Sequence, residues 1–277
     1  MNLKTLLDTP PWEWPQGAGK LLLQILDDAQ ADGSDRIIAA ELAGDLVVIN
    51  EDLVRSLLSV VQNNSESKEL RGTAAIALGP VLEHADVEGF EDTDEVPITE
   101  STFLSVQETL RELYNDAGVP VEVRRRILEA SVRAPQPWHE NAISVAYAID
   151  DDDWKLTAVF SMRWVRGFDK QILEALRSDN ESIQYEAVNA AGAWGLDGAW
   201  PHISALVTSK DTDKRLLLAA MQAVSSIRPK EAGVVLVHLA DSDDEDIAAA
   251  AYEAMGMAED LSHDDPDRDE KDDRSLS

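Results

Sequence analysis

Small apolar residues recur every three or four positions along most of this chain, with polar and charged residues filling the intervals. That spacing puts one side of each segment into a core and leaves the other in water, as in amphipathic helices. The segments come in pairs, and the second member of each pair repeats. Ile183-x-x-x-Ala187-x-x-Ala190-x-Gly192 returns as Ile247-x-x-x-Ala251-x-x-Ala254-x-Gly256, an offset of 64. Ala219 lies midway, so the period is 32. A period in the range of about 20–50 residues marks a stacked array of supersecondary units rather than one closed core.

Taking one buried small or aliphatic residue as the anchor of each second helix gives Ala40, Ala74, Ile127, Ala158, Ala187, Ala219 and Ala251, spaced 34, 53, 31, 29, 32 and 32 apart. The predicted hairpins combine helices over 20–30 with 35–45, 51–62 with 67–83, and 99–116 with 120–133. The later ones combine 138–149 with 152–166, 168–178 with 181–195, 198–209 with 213–227, and 230–240 with 245–259. The fold class is therefore all-α, an α-α superhelix of about seven helical hairpins over residues 18–259. Residues 1–17 form an N-terminal cap, in which Pro10, Pro11 and Pro15 interrupt helix and Trp12 and Trp14 cover the first repeat. The long spacing of 53 contains Gly89, Pro97 and a run of acids, which predicts an acidic loop insertion over 86–98. Residues 260–277 are acidic and poor in apolar side chains, which predicts a disordered tail.

One second helix reads Leu70-Arg71-x-x-Ala74-x-x-Ala77-Leu78-Gly79. This run resembles the HEAT-like repeat of the phycobilisome-lyase type, and weaker versions begin at Val123-Arg124, Trp154-Lys155, Ile183-Gln184 and Ile247. The resemblance implies a scaffold, in which Arg71 and Arg124 belong to an internal ladder bonded to turn acids. Acids at the starts of second helices (Asp35, Glu122, Asp150 to Asp153, Asp179 and Glu181, Asp211 and Asp213, Asp243 to Asp246) fit helix N-termini, where carboxylates accept from free backbone N–H groups and complement the helix dipole.

Composition narrows the function. The 277 residues carry 54 acids against 24 Lys and Arg, a formal charge of −30. Residues 83–100 hold eight acids and no Lys or Arg, and residues 259–277 hold nine acids against three bases. Binding to a phosphate backbone depends on basic side chains displacing counterions, so neither nucleic acid nor an anionic membrane is an expected partner. A protein partner is expected, and a basic one suits the charge. There are no cysteines, which removes disulfides and thiolate chemistry. No leader or membrane segment is read from the sequence, and the expected location is cytoplasmic.

No catalytic or metal constellation emerges. Asp241 to Glu245 superficially resembles a calcium loop but has Asp246 where glycine is needed and Tyr252 where glutamate is needed. The histidines, at 84, 139, 202, 238 and 263, lack metal-ligand spacing. Deoxyhypusine hydroxylase resembles this architecture but holds two irons with several His-Glu pairs. Only His139-Glu140 occurs here, so no metal or other cofactor is expected. The expected function is a non-catalytic interaction scaffold. The alternatives are an acidic antagonist or immunity-type protein masking a basic enzyme, and a bilin-lyase-like enzyme.

One place departs from the repeat. Five and eight residues past the anchor, most second helices carry glycine or apolar residues, but the fourth carries Arg163 and Arg166. Five of the seven tryptophans fall between 138 and 200, and residues 123–177 hold nine bases against eight acids. Arg163, Arg166 and Trp164 are therefore the candidate partner-binding residues, on the inner second-helix surface. The competing structural reading pairs the two arginines with Asp169 and Glu174.

Overall fold

The periodic segments fold as helices capped by the polar residues that precede them. A computed structural model describes residues 2–91 and 96–263; there are no strands among these residues, and no helix is long and apolar enough to cross a membrane. The side chains of Asp32, Asn50, Ser67, Thr99, Asp151, Asn180 and Asp213 accept the first free backbone N–H groups of the helices they precede. Asp35, Glu122 and Glu181 lie instead in first turns, where charge complements the helix dipole.

The chain divides into two compact units, Met1–Val145 and Ala146–Ser277. In the first, α1 (Leu3–Leu7) and a 3-10 turn (Pro11–Glu13) precede α2 (Ala18–Asp27) and α3 (Gly33–Ala43). Then come α4 (Glu51–Gln62), α5 (Lys68–Ala77), α6 (Gly79–Glu88), α7 (Glu100–Asn115) and α8 (Val121–Ser131). Helix α9 (Trp138–Ala148) contains the boundary. The second unit continues with α10 (Asp152–Ser161), α11 (Asp169–Ala175) and α12 (Glu181–Ala193). It closes with α13 (Trp200–Thr208), α14 (Lys214–Ile227), α15 (Pro229–Ala240) and α16 (Glu245–His263).

Each unit has two layers of helices in an α-α superhelical arrangement. In the first, α2 packs on α3, α4 on α5 and α7 on α8, while the second helices form the row α3–α5–α8. In the other, α11/α12, α13/α14 and α15/α16 are packed pairs, and the second-helix row is α10–α12–α14–α16. The second helix of every pair buries its anchor: Ala40, Ala74, Ile127, Ala158, Ala187, Ala219 and Ala251 all lie in the interior. About one turn past some anchors, small residues are required because neighbouring helices of a row approach closely. A Cβ on Gly44 would sit 2.6 Å from the carbonyl oxygen of Ala77, and one on Gly192 would sit 3.0 Å from Ala223 Cα.

A cationic or amide side chain ties each of three hairpins together. Arg36 donates through Nε and Nη2 to the carbonyl of Leu26, at the end of its partner helix, and pairs with Glu66 at 2.8 Å. Arg71 donates from Nε to the Val61 carbonyl at 2.8 Å, and Gln184 donates to that of Leu176. These side chains satisfy carbonyls that a helix C-terminus leaves free. The expected ladder of Arg71 and Arg124 bonded to turn acids is not what forms: Arg71 reaches a carbonyl, the buried Nε of Arg124 has no hydrogen-bond partner among the described residues, and the acid-bonded arginine is Arg36, which lay outside that expectation.

Several boundaries differ from the sequence pattern for local reasons. The helix expected over 67–83 is two, α5 and α6, broken at Leu78. Pro80 has no N–H to donate back along the helix, and Gly79 lets α8 approach, its Cβ position lying 2.8 Å from Arg133 Cδ. In the expected insertion 86–98, α6 runs to Glu88, Phe90 packs on Phe103 at 5.4 Å, and Val96 and Ile98 are buried; its residues 92–95 lie outside the described ones. In the N-terminal segment Trp14 donates to the Leu6 and Thr9 carbonyls, whereas Trp12 is exposed. Helix α16 continues to His263, so the first residues of the expected tail are helical, and residues 264–277 lie outside the described ones.

Candidate protein-docking groove

The candidate surface lies wholly in the second unit, along α12, α14 and α16. Their facing small residues, Gly192, Ala219 and Ala223 among them, keep the row shallow and leave two adjoining clefts. One, of about 490 Å³, is lined by Arg163, Val188, Gly192, Ala219, Gln222 and Met257, among others. The second, of about 820 Å³, includes Tyr185, Arg215, Leu218, Gln222, Ala249 and Glu253. Ala219 and Gln222 line both, so the clefts join along α14.

Arg163, Trp164 and Arg166 are not on a helical stripe. Helix α10 ends at Ser161 rather than at residue 166, and the counting of 100° per residue from Ala158 therefore stops short of all three. The carbonyl of Met162, which a continuing helix would offer to the Arg166 amide, accepts the indole N–H of Trp194 at 2.7 Å instead. The chain turns through tight amide bonds from Arg163 to Phe160 and from Trp164 to Ser161, then reverses at Gly167, whose φ of 100 suits glycine. Arg163 nonetheless reaches the first cleft from this turn.

Each arginine lies over a ring. The Arg163 guanidinium carbon is 5.4 Å from the Trp164 ring centroid, and that ring packs on Phe160 at 4.7 Å. Arg166 lies 4.6 Å from the Trp194 ring, one repeat on. The pairing of both arginines with Asp169 and Glu174 is not what the structure contains: Glu174 lies 3.9 Å from Lys155, and neither arginine has an ion-pair partner among the described residues. Attraction of a cation to an aromatic face holds the guanidinium plane while leaving its edge N–H donors available.

Sequence reasoning missed a third such pair. Arg215, at the start of α14, lies 3.9 Å from the Tyr185 ring of α12, also without an ion-pair partner among the described residues. The readable signal was an aromatic residue and an arginine 30 positions apart, close to the repeat period, on successive second helices. Two other cations of this unit are committed to carboxylates. Lys214 binds Asp244 at 2.8 Å and Asp246 at 2.7 Å, and these hydrogen bonds raise its pKa. Arg228 binds Asp197 at 2.7 Å.

Chemistry at the single His-Glu pair is constrained by its surroundings. His139 is buried, its Nδ1 accepts the Gln136 amide at 2.8 Å, and its Nε2 lies 3.0 Å from Ser131 Oγ. Both nitrogens are therefore engaged in the fold. Among the described residues no group of three His, Cys, Asp or Glu is placed to hold a metal ion.

Residues 170–256 match the model for HEAT repeats, which spans α11 to α16 within the second unit. No curated protein matches the chain. Among solved structures, human deoxyhypusine hydroxylase in complex with glycerol is 18% identical, with 93% of this chain and 88% of that one covered and a TM-score of 0.41. YibA of E. coli is 14% identical over 88% of this chain and 98% of its own, with a TM-score of 0.49. The complex of CpcE and CpcF of phycocyanin lyase from a Nostoc species is 17% identical, covering 91% and 98%, with a TM-score of 0.45.

Proposed function

We propose that the chain is a non-catalytic scaffold that docks a partner protein along the second-helix groove of its second unit. The observation that carries this reading is the set of three arginines, Arg163, Arg166 and Arg215, laid on Trp164, Trp194 and Tyr185 in a protein of net charge −30. Several other basic side chains spend their donors on carboxylates: Arg36 and Lys214 do, and Arg228 bonds Asp197 even while lying over the Trp200 ring at 5.1 Å. Guanidinium groups held by rings keep their hydrogen-bond donors for something else. Arginine and tryptophan are also enriched at the energetic centres of interfaces. The chemistry suits a partner segment that brings carboxylates to the arginines and apolar side chains to Leu218 and Met257.

The test is affinity capture from native extract followed by charge reversal of Arg163→Glu with Arg166→Glu, and separately of Arg215→Glu. On this reading each variant keeps its helicity and melting temperature while capture of the same partner falls at least tenfold. Unchanged capture, or capture falling only in step with melting temperature, rejects the groove.

A further inference from the structure

The repeat supplies an internal standard for which helix face is covered by the next repeat. On α12 that face contains Val188 and Gly192, both buried, with Gly192 seated against Ala223 of α14. One period later, on α14, the same positions are Ala220 and Val224, both fully buried. A further period on, they are Tyr252 and Gly256 of α16. Tyr252 is 61% exposed, Gly256 is exposed, and a Cβ on Gly256 would meet nothing within 4 Å. Glycines just past α3 and at the α5–α6 junction obey the same rule: Gly44 sits against Ala77 of α5, and Gly79 against Ala130 of α8 and Arg133 just beyond it.

We propose that the Tyr252/Gly256 face of α16 is a second docking surface, taking a basic, amphipathic helix of another protein that stacks on it as a further repeat would. The glycine level sets the geometry. At the other levels the helix that covers the glycine brings a small residue, Ala77, Ala130 or Ala223, so the incoming helix carries Ala, Gly or Ser opposite Gly256. Charge sets the chemistry. Residues 229–263 contain nine acids and one lysine, Lys230, and Glu253 and Asp260 are exposed beside the face. A second copy of this chain would bring the same acids against them and is disfavoured by like-charge repulsion. The fourteen residues that follow α16 in sequence cannot supply the occupant either, since they hold seven acids and three bases and Leu276 as their one large aliphatic side chain. Lysines or arginines flanking the small residue would answer Glu253 and Asp260, while the apolar stripe of the incoming helix covers Tyr252.

The experiment places a photoreactive benzophenone side chain at Tyr252 in the full chain, in its own cells, and maps the cross-linked peptide by mass spectrometry. The expected result is one heterologous adduct at a helical segment with excess Lys and Arg and a small residue on its apolar side. Gly256→Arg, which fills the seat with bulk and whose Cβ has open space around it, lowers the adduct yield at least tenfold without lowering the melting temperature. Arg163→Glu with Arg166→Glu leaves the yield unchanged, which separates this surface from the groove. An adduct of twice the chain's mass, an acidic or non-helical cross-linked segment, a yield indifferent to Gly256→Arg, or no adduct overturns the proposal.

Discussion

Burial pushes the imidazole of His139, whose Nδ1 accepts the Gln136 amide, down to about 4. With Nδ1 accepting that amide, the added proton has no place unless the contact breaks. The folded pKa lies below the ordinary value of 6.5, so the folded chain binds fewer protons than the unfolded one between those limits. Stability from this group is complete above pH 6.5 and is lost as pH falls toward 4. Between pH 7.5 and pH 5 the loss is about 2 kcal/mol. Urea unfolding at both pH values should show that His139→Gln removes about that much of the pH dependence while lowering stability at pH 7.5. An unchanged slope would place the acid sensitivity in other groups. Arg36 makes a second point at this scale. Removing it strands Glu66 and the Leu26 carbonyl, so Arg36→Met should cost about 3 kcal/mol in the same measurement, whereas an exposed pair such as Lys68 with Glu122 should yield under about 1 kcal/mol.

At the scale of the helix, the glycines divide by what lies opposite them. Gly44→Ala forces a methyl within 2.6 Å of backbone oxygen and should lower stability by about 1–3 kcal/mol. Gly256→Ala meets open space inside a helix and should raise it by up to about 1 kcal/mol. Thermal melts of the two variants, moving in opposite directions, would establish which levels are covered; equal effects would contradict the spacing argument. The anchor residues and most hairpin partners were legible because period and burial express the same constraint, close approach of second helices at small residues. The end of α10 was not legible. Met162-Arg163-Trp164-Val165-Arg166 has no Gly or Pro, and what replaces its helical bonding is an indole from α12, 32 positions away. The break at Leu78 was signalled by Gly79 and Pro80, but in a position where the alanine pattern continues to Leu82. Arg163 stands out in the sequence through its departure from the repeat, although the helical phase used to place it does not hold. Arg215 obeys the local pattern of a helix start, and only the three-dimensional neighbourhood of Tyr185 distinguishes it.

At the scale of the whole molecule, 30 uncompensated negative charges make self-repulsion a standing cost of folding. Screening shortens its range to about 10 Å at 0.1 M salt, so the melting temperature should rise when sodium chloride is increased from low to physiological strength. A fall would mean that ion pairs such as Arg36 with Glu66 and Lys214 with Asp244 outweigh repulsion. The arginines laid on Trp164, Trp194 and Tyr185 have a consequence for rates as well as for contacts. They are ring-held cations inside a long-range negative field, and an acidic partner would have to cross that field before reaching them. Its association rate should therefore increase with salt while its dissociation also quickens. A basic helix approaching Tyr252 is drawn in by the same field, and its association should slow as salt is added. In stopped-flow mixing, one chain would then sort two ligands by the sign of their salt dependence, the far field choosing who arrives quickly and the ring-held arginines choosing who stays.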